Sequence, residues 1–140
     1  MKIPSALLFV VLAVTLAMVP MLTMALAADP EIVASSPSGD FLVGEWVGYW
    51  SVHAFGDKIY LTIKSVSGNR VVATILIYGR ARYHNRELPI TGTLSSDGTV
   101  LSLSNEYVAI DLNILSSTEM RGRGRGDHSA DFELTKTSKK

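Results

Sequence analysis

The side chains of this 140-residue chain best suited to proton chemistry near neutral pH are its three histidines, His53, His84 and His128. A zinc site would need them at short local spacings such as H-x-H or H-x-x-x-H, and no such spacing occurs, so no metal is predicted and no other cofactor is expected. A Ser-His-Asp hydrolase would need its nucleophile on a strained turn such as G-x-S-x-G, which is also missing. General acid-base catalysis inside a barrel has a geometric signature rather than a sequential one. Enzymatic activity therefore stays open, no catalytic residue is assigned, and binding is the preferred reading.

Two segments carry the remaining chemistry. "RARYHNRE" at 80 to 87 sets Arg80, Arg82 and Arg86 around Tyr83 and His84, a set able to make charge-assisted hydrogen bonds to an anionic or polar ligand or to an acidic patch on a partner. "MRGRGRGD" at 120 to 127 admits three readings: an RNA-binding tract, an integrin-type Arg-Gly-Asp at 125 to 127, or a strand with every second side chain missing. An RNA reader needs an aromatic platform beside its arginines, which this segment lacks, and a three-residue match is weak evidence for integrin binding. As a strand, the segment puts Arg121, Arg123 and Arg125 on one face and Met120, Gly122 and Gly124 on the other. A hairpin centred near His128 would pair Arg125 with Asp131 and Arg123 with Glu133, contributing about 0.2–1 kcal/mol per pair. A solvated, charge-matched wall is then a sufficient explanation.

The elements that must position these residues are short apolar runs broken by Gly, Asn, Asp and Ser every 8 to 12 residues or so, the pattern of an all-β sandwich or barrel. Eight strands are predicted, at 42 to 50, 58 to 66, 70 to 79, 88 to 94, 99 to 104, 107 to 113, 119 to 125 and 130 to 136. Alternation turns Ile59, Leu61 and Ile63 inward, with Leu101, Leu103, Val108, Ile110, Leu112, Phe132 and Leu134. In the third strand both faces are apolar, so Val72, Leu76 and Tyr78 compete with Val71, Ala73, Ile75 and Ile77. Short connections at 67 to 69 and 96 to 98 suit hairpins between sequential neighbours. The predicted fold is thus an eight-stranded antiparallel up-and-down barrel, with an open β-sandwich as the alternative. Outward Lys58, Lys64, Arg121, Asp131 and Glu133 oppose a lipid-facing barrel.

In such a meander the loops at 51 to 57, 80 to 87, 105 to 106 and 126 to 130 share one end and collect all three histidines. Closure also brings inward Gly122 and Gly124 within one strand of Trp46 and Trp50, whose indoles are expected to fill the space. The result is either a filled core or a pocket walled by Trp50 and Tyr78.

The beginning of the chain, "MKIPSALLFVVLAVTLAMVPMLTMALAADPE", has one lysine before an uncharged apolar run and Ala25 and Ala27 in an A-x-A pattern. Residues 1–27 are predicted to be a secretory signal peptide, and the alternative is an uncleaved anchor over 3–28. Residues 28–40, with two prolines among small and polar residues, read as a flexible linker, and 41–138 as the barrel domain. With Lys2 removed, twelve Lys and Arg face thirteen Asp and Glu, so no global field recruits nucleic acid. The lack of cysteine removes disulfides, thiolate metal sites and a lipid-bearing cysteine. The expected location is secreted or periplasmic, with membrane contact only if the anchor is kept.

"GEWVGYW" at 44 to 50, a Gly-x-Trp in the first of eight predicted antiparallel strands, resembles the calycin group of lipocalins, fatty-acid-binding proteins and avidins. The resemblance covers 41 to 137 in strand order and spacing and is carried by Gly44, Glu45 and Trp46. It implies that Trp46 closes the base of the barrel; no arginine follows to stack on it, and Lys136 is the nearest cation. Bacterial lipocalin-like protease inhibitors share the leader, the size and a first strand bearing Trp. Two functions follow. The first is binding of a small apolar or amphipathic molecule at the open end, with Trp46, Trp50, His53, Tyr78, Arg82, Tyr83, His84 and His128 as candidate ligand-binding residues. The alternative is a filled barrel whose loops contact a secreted protein, for example as an enzyme inhibitor.

Overall fold

A computed structural model describes residues 38–137. Eight antiparallel strands pair in sequence order and close, the first on the last. They are β1 (Gly44–Val52), β2 (Phe55–Ser67), β3 (Arg70–Ile77), β4 (Glu87–Leu94), β5 (Val100–Ser104), β6 (Ala109–Ile114), β7 (Glu119–Arg125) and β8 (Ser129–Lys136). The up-and-down barrel is the architecture, and the open sandwich is set aside by the β1–β8 ladder from Trp46↔Lys136 to Ser51↔Asp131. Closure leaves no unpaired sheet edge to template association. The proposed signal peptide or anchor and most of the proposed linker lie outside the described residues.

Alternation builds the core. Ile59, Leu61 and Ile63 of β2 meet Val71, Ala73, Ile75 and Ile77 of β3, and all are buried, which resolves the ambiguous third strand. Val72 and Tyr78 face outward and exposed, and the Tyr78 ring stands edge-on to Tyr60, 5.9 Å between centroids. Tyr78 is not among the residues that line the cavity at the mouth. Both faces of β3 are apolar because the outer one joins an exposed strip with Tyr60. The outward charges Lys58, Lys64, Arg121, Asp131 and Glu133 are all exposed.

Strict alternation breaks once within β2. The register passes from Ile63↔Ala73 to Ser65↔Val72, so Lys64 is an extra residue and the parity beyond it inverts. The inversion turns Val66 toward the core, where the 3-10 turn Gly39–Leu42 caps the barrel. A Cβ on Gly39 would stand 2.5 Å from Val66 Cγ1, so glycine is what lets this cap seat. Leu42 is fully buried beneath it. Leu42 thus belongs to the cap, not to the first strand, which begins two residues later than the sequence pattern suggests, and the ordered fold reaches back into the stretch read as linker.

The final hairpin differs from expectation by two residues. Its turn is Gly126–Asp127–His128, so Arg123 faces Asp131, Arg121 faces Glu133, and Arg125 faces Ser129. Arg123 Nε donates to Asp131 Oδ1 at 2.9 Å, and Arg121 reaches Glu119 at 3.0 Å and Glu133 at 3.9 Å. These pairs are solvent-exposed, so each contributes about 0–1 kcal/mol. The tract is a charge-matched outer wall with a different register. Its inward glycines do not receive indoles. The Phe132 ring occupies the space over Gly124, and a Cβ on Gly122 would collide with the Asp111 carbonyl of β6, where the two backbones close up.

Candidate functional site

The two ends of the barrel are built differently. At the base, Trp46 is fully buried, its Nε1 donates to the Leu42 carbonyl at 2.8 Å, and Lys136 Nζ lies 5.6 Å from the centre of its ring. The same ammonium donates to the Phe41 carbonyl, tying the end of β8 to the cap. Cation and indole N–H thus lock the base from two sides. Above Trp46 the interior is solid with Ile59, Leu61, Ile75, Ile110, Leu112 and Leu134. Trp46, a candidate ligand contact by sequence, is separated from the other end by this packing.

The four loops of the opposite end surround a cavity of about 360 Å³. Its floor and walls come from Trp50, Val52, Ile77, Val108, Ala130 and Phe132, and its rim from Arg80, Tyr83, His84, Asp127 and His128. The β3–β4 loop is the main lid. Asn85, in the left-handed conformation at φ 62°, brackets Gly79: its Nδ2 donates to the Gly79 carbonyl at 2.8 Å and its Oδ1 accepts from the Gly79 N–H at 3.3 Å. Its own N–H donates to the Ile77 carbonyl at 2.7 Å. Gly79 is needed because a Cβ there would stand 2.2 Å from His84 Nδ1 and 3.0 Å from the Trp50 ring.

The fixed loop lays a row of rings across the mouth. Arg86 donates to the Tyr107 hydroxyl at 3.3 Å and lies 5.5 Å from that ring's centre. Tyr107 stacks on Tyr83 at 5.4 Å, Tyr83 meets His84 edge-on at 4.6 Å, and His84 meets Trp50 edge-on at 5.3 Å. The Trp50 N–H is engaged by the Tyr78 carbonyl at 2.8 Å, so the indole presents only its apolar ring to the cavity. His84 Nδ1 accepts the Ala81 N–H at 3.3 Å, which assigns the ring proton to Nε2.

The electrostatics follow from burial and one carboxylate. Burial pushes the His84 pKa below its ordinary value, while Asp127 and then Asp57 pull it back upward. Burial raises the Tyr83 phenol, the Asp127 charge raises it further, and the Asp127 backbone N–H partly offsets this. Both groups are neutral at pH 7.

Of the residues singled out by sequence, Trp50, Tyr83, His84 and His128 line the cavity together. His53 sits beside it, in a groove shared with Val52, Phe55 and His128, so the three histidines do share one end. The seven-residue loop expected at 51 to 57 is instead a long hairpin with a two-residue turn, in which His53 takes the positive φ of 54° that a primed turn requires. Arg82 is exposed and lines no part of the cavity; Arg80 takes that place. Phe132, Asp127 and Tyr107 were not singled out as ligand contacts. Phe132 was visible as an inward residue of the last strand, whereas Asp127 and Tyr107 lie on loops where alternation carries no signal.

Among the described residues no three His, Cys, Asp or Glu side chains gather as a metal site, and no helix is long and apolar enough to cross a membrane. Comparisons with protein-family models, with curated proteins and with solved structures find no match. Fold and site define a closed eight-stranded antiparallel barrel with a sealed base and one ring-lined cavity at its mouth, an arrangement compatible with a calycin-like fold.

Proposed function

We propose that this protein is an exported, calycin-like barrel that binds a small apolar or amphipathic molecule in its mouth. The observation that carries this reading is the cavity itself: about 360 Å³, mostly apolar, with a few polar groups at its rim. That volume and lining are those of small-molecule sites, which commonly occupy the mouths of barrels. The solid packing above Trp46 supports a compact ligand over a long acyl chain. The leader-like N-terminal sequence supports export.

The experiment is a titration of tryptophan emission with neutral naphthalene probes, in the wild-type protein and in Trp50→Phe. Binding should change the wild-type emission and leave that of the variant, which retains only Trp46 at the sealed base, nearly unchanged. Flat emission across the probe series in both proteins sinks the carrier reading.

A second reading, an interaction module such as an inhibitor of a secreted enzyme, is favoured by Phe55. This ring is 80% exposed beside the tip of the β1–β2 hairpin. An exposed aromatic on a protruding turn suits insertion into a partner's cleft. Replacing Phe55 with Ser should then abolish partner binding while leaving the naphthalene titration intact.

A further inference from the structure

We infer that the mouth cavity selects a small organic cation, an ammonium on an aromatic or short alkyl body, with Asp127 as its counter-ion. The inference rests on the carrier reading above and names the ligand class for the same cavity.

Ring geometry is the first support. Three glycines hold the aromatic walls in place: Gly79 beside His84 and Trp50, Gly124 against Phe132, and Gly126 against Tyr83, whose hydroxyl would be 2.9 Å from a Cβ at that position. Each glycine makes room for a ring, so the RGRGRGD tract serves the mouth as well as the wall. The face of an aromatic ring is its negative pole, so a cation in a ring-lined space is attracted wherever it meets a face, as in cages for quaternary ammonium groups.

Charge is the second. Arg80 and Asp127 both line the cavity, and neither forms an ion pair with another described residue. Their effects inside are unequal. Tyr83 and His84 both respond to Asp127, and His84 also to Asp57, whereas the Arg80 guanidinium perturbs neither. Asp127, on the cavity rim, is thus the carboxylate that acts on both rings. An anionic ligand would meet the Asp127 carboxylate on the rim, with Arg80 as the arginine that lines the same cavity.

Size is the third. At about 360 Å³ the cavity lies at the small end of ligand sites, and buried aliphatic side chains form the layer below it. A ring with a two-carbon ammonium arm matches this space, its body against Trp50 and Phe132 and its charge toward Asp127.

The test compares three probes of nearly equal shape by isothermal titration calorimetry at pH 7.5: phenethylammonium, neutral 2-phenylethanol and anionic 3-phenylpropionate. Phenethylammonium should bind at least about tenfold more tightly than either other probe. Asp127→Asn should bring phenethylammonium down to the affinity that 2-phenylethanol has for the same variant, and Arg80→Gln should raise the ammonium affinity by removing a like charge from the rim. Equal or tighter binding of the neutral or anionic probe overturns the cation assignment, as does a preference that survives in Asp127→Asn. If phenethylammonium fails to bind while the naphthalene probes still do, the assignment falls and the carrier reading stands. If all probes fail, both fall.

Discussion

The Phe132 ring lies against Gly124 of the neighbouring strand so closely that a Cβ on that glycine would be 2.6 Å from Cε2. Phe132 and Gly124 face Trp50 and Ala130 respectively across the ladders, so this contact forms the cavity floor on the side where the barrel closes. The same Cβ would also approach the Ala109 carbonyl at 3.0 Å and Ile110 Cγ1 at 3.1 Å, leaving the ring little room to retreat.

Gly124→Ala should therefore destabilise the fold by about 1–3 kcal/mol, the usual cost of overpacking. Phe132→Leu in the same chain should recover part of the loss, because the two changes act on one contact and are not additive. Urea unfolding of the two single variants and the double variant measures this. Strict additivity would show that Gly124 is not there to accommodate the ring.

Lys136 combines a hydrogen bond to the Phe41 carbonyl with a position over Trp46. Lys136→Met keeps the aliphatic stem and removes the charge. A loss of about 1–2 kcal/mol is expected, since a partly buried cation over an indole and a charged hydrogen bond both disappear. Probe binding at the mouth should not change, because solid core lies between. Weakened binding in this variant would contradict the independence of the two ends.

The third prediction concerns pH. Burial lowers the His84 pKa below 6.5, against the opposing pull of Asp127 and Asp57. Between the two values the unfolded chain binds the proton and the folded protein does not. The stability from neutral His84 is therefore complete above pH 6.5 and is lost as pH falls through the lowered value. A proton on Nδ1 would also set two donors against each other at Ala81 N–H. The melting temperature should fall between pH 7.5 and pH 5, and fall less in His84→Asn, which keeps an acceptor for Ala81. Equal slopes in the two proteins would remove His84 from the account.

Strand number, order and most of the core were legible because one face of nearly every strand is apolar and the other polar. Where that contrast fails, so does the sequence pattern. β3 is apolar on both sides, which is why Tyr78 was grouped with the pocket although its ring packs outside on Tyr60. The extra residue at Lys64 leaves no mark in composition, yet it reverses the facing of Val66 and lets the Gly39–Leu42 cap dock. The register of the last hairpin is two residues from the one the sequence suggests, because alternating arginines can meet Asp131 and Glu133 equally well in either register and only the Gly126–Asp127–His128 turn decides between them. At the mouth, Trp50, Tyr83, His84 and His128 were recognisable by type and approximate position. Asp127 and Tyr107 were not, since their roles depend on how separate loops meet. Arg82 and Arg80 are alike in sequence, and only the path of the loop bracketed by Asn85 decides which one turns toward the cavity.

The packed layer of Ile59, Leu61, Ile75, Ile110, Leu112 and Leu134 divides the molecule into a foundation and an exchangeable crown. Substitutions in the 80 to 86 and 126 to 128 loops need not disturb the indole latch at the foot, so the lining of the mouth is free to change while foldability is conserved. A designer wanting a cysteine-free receptor of this size could diversify those loops alone and leave the staves as they are.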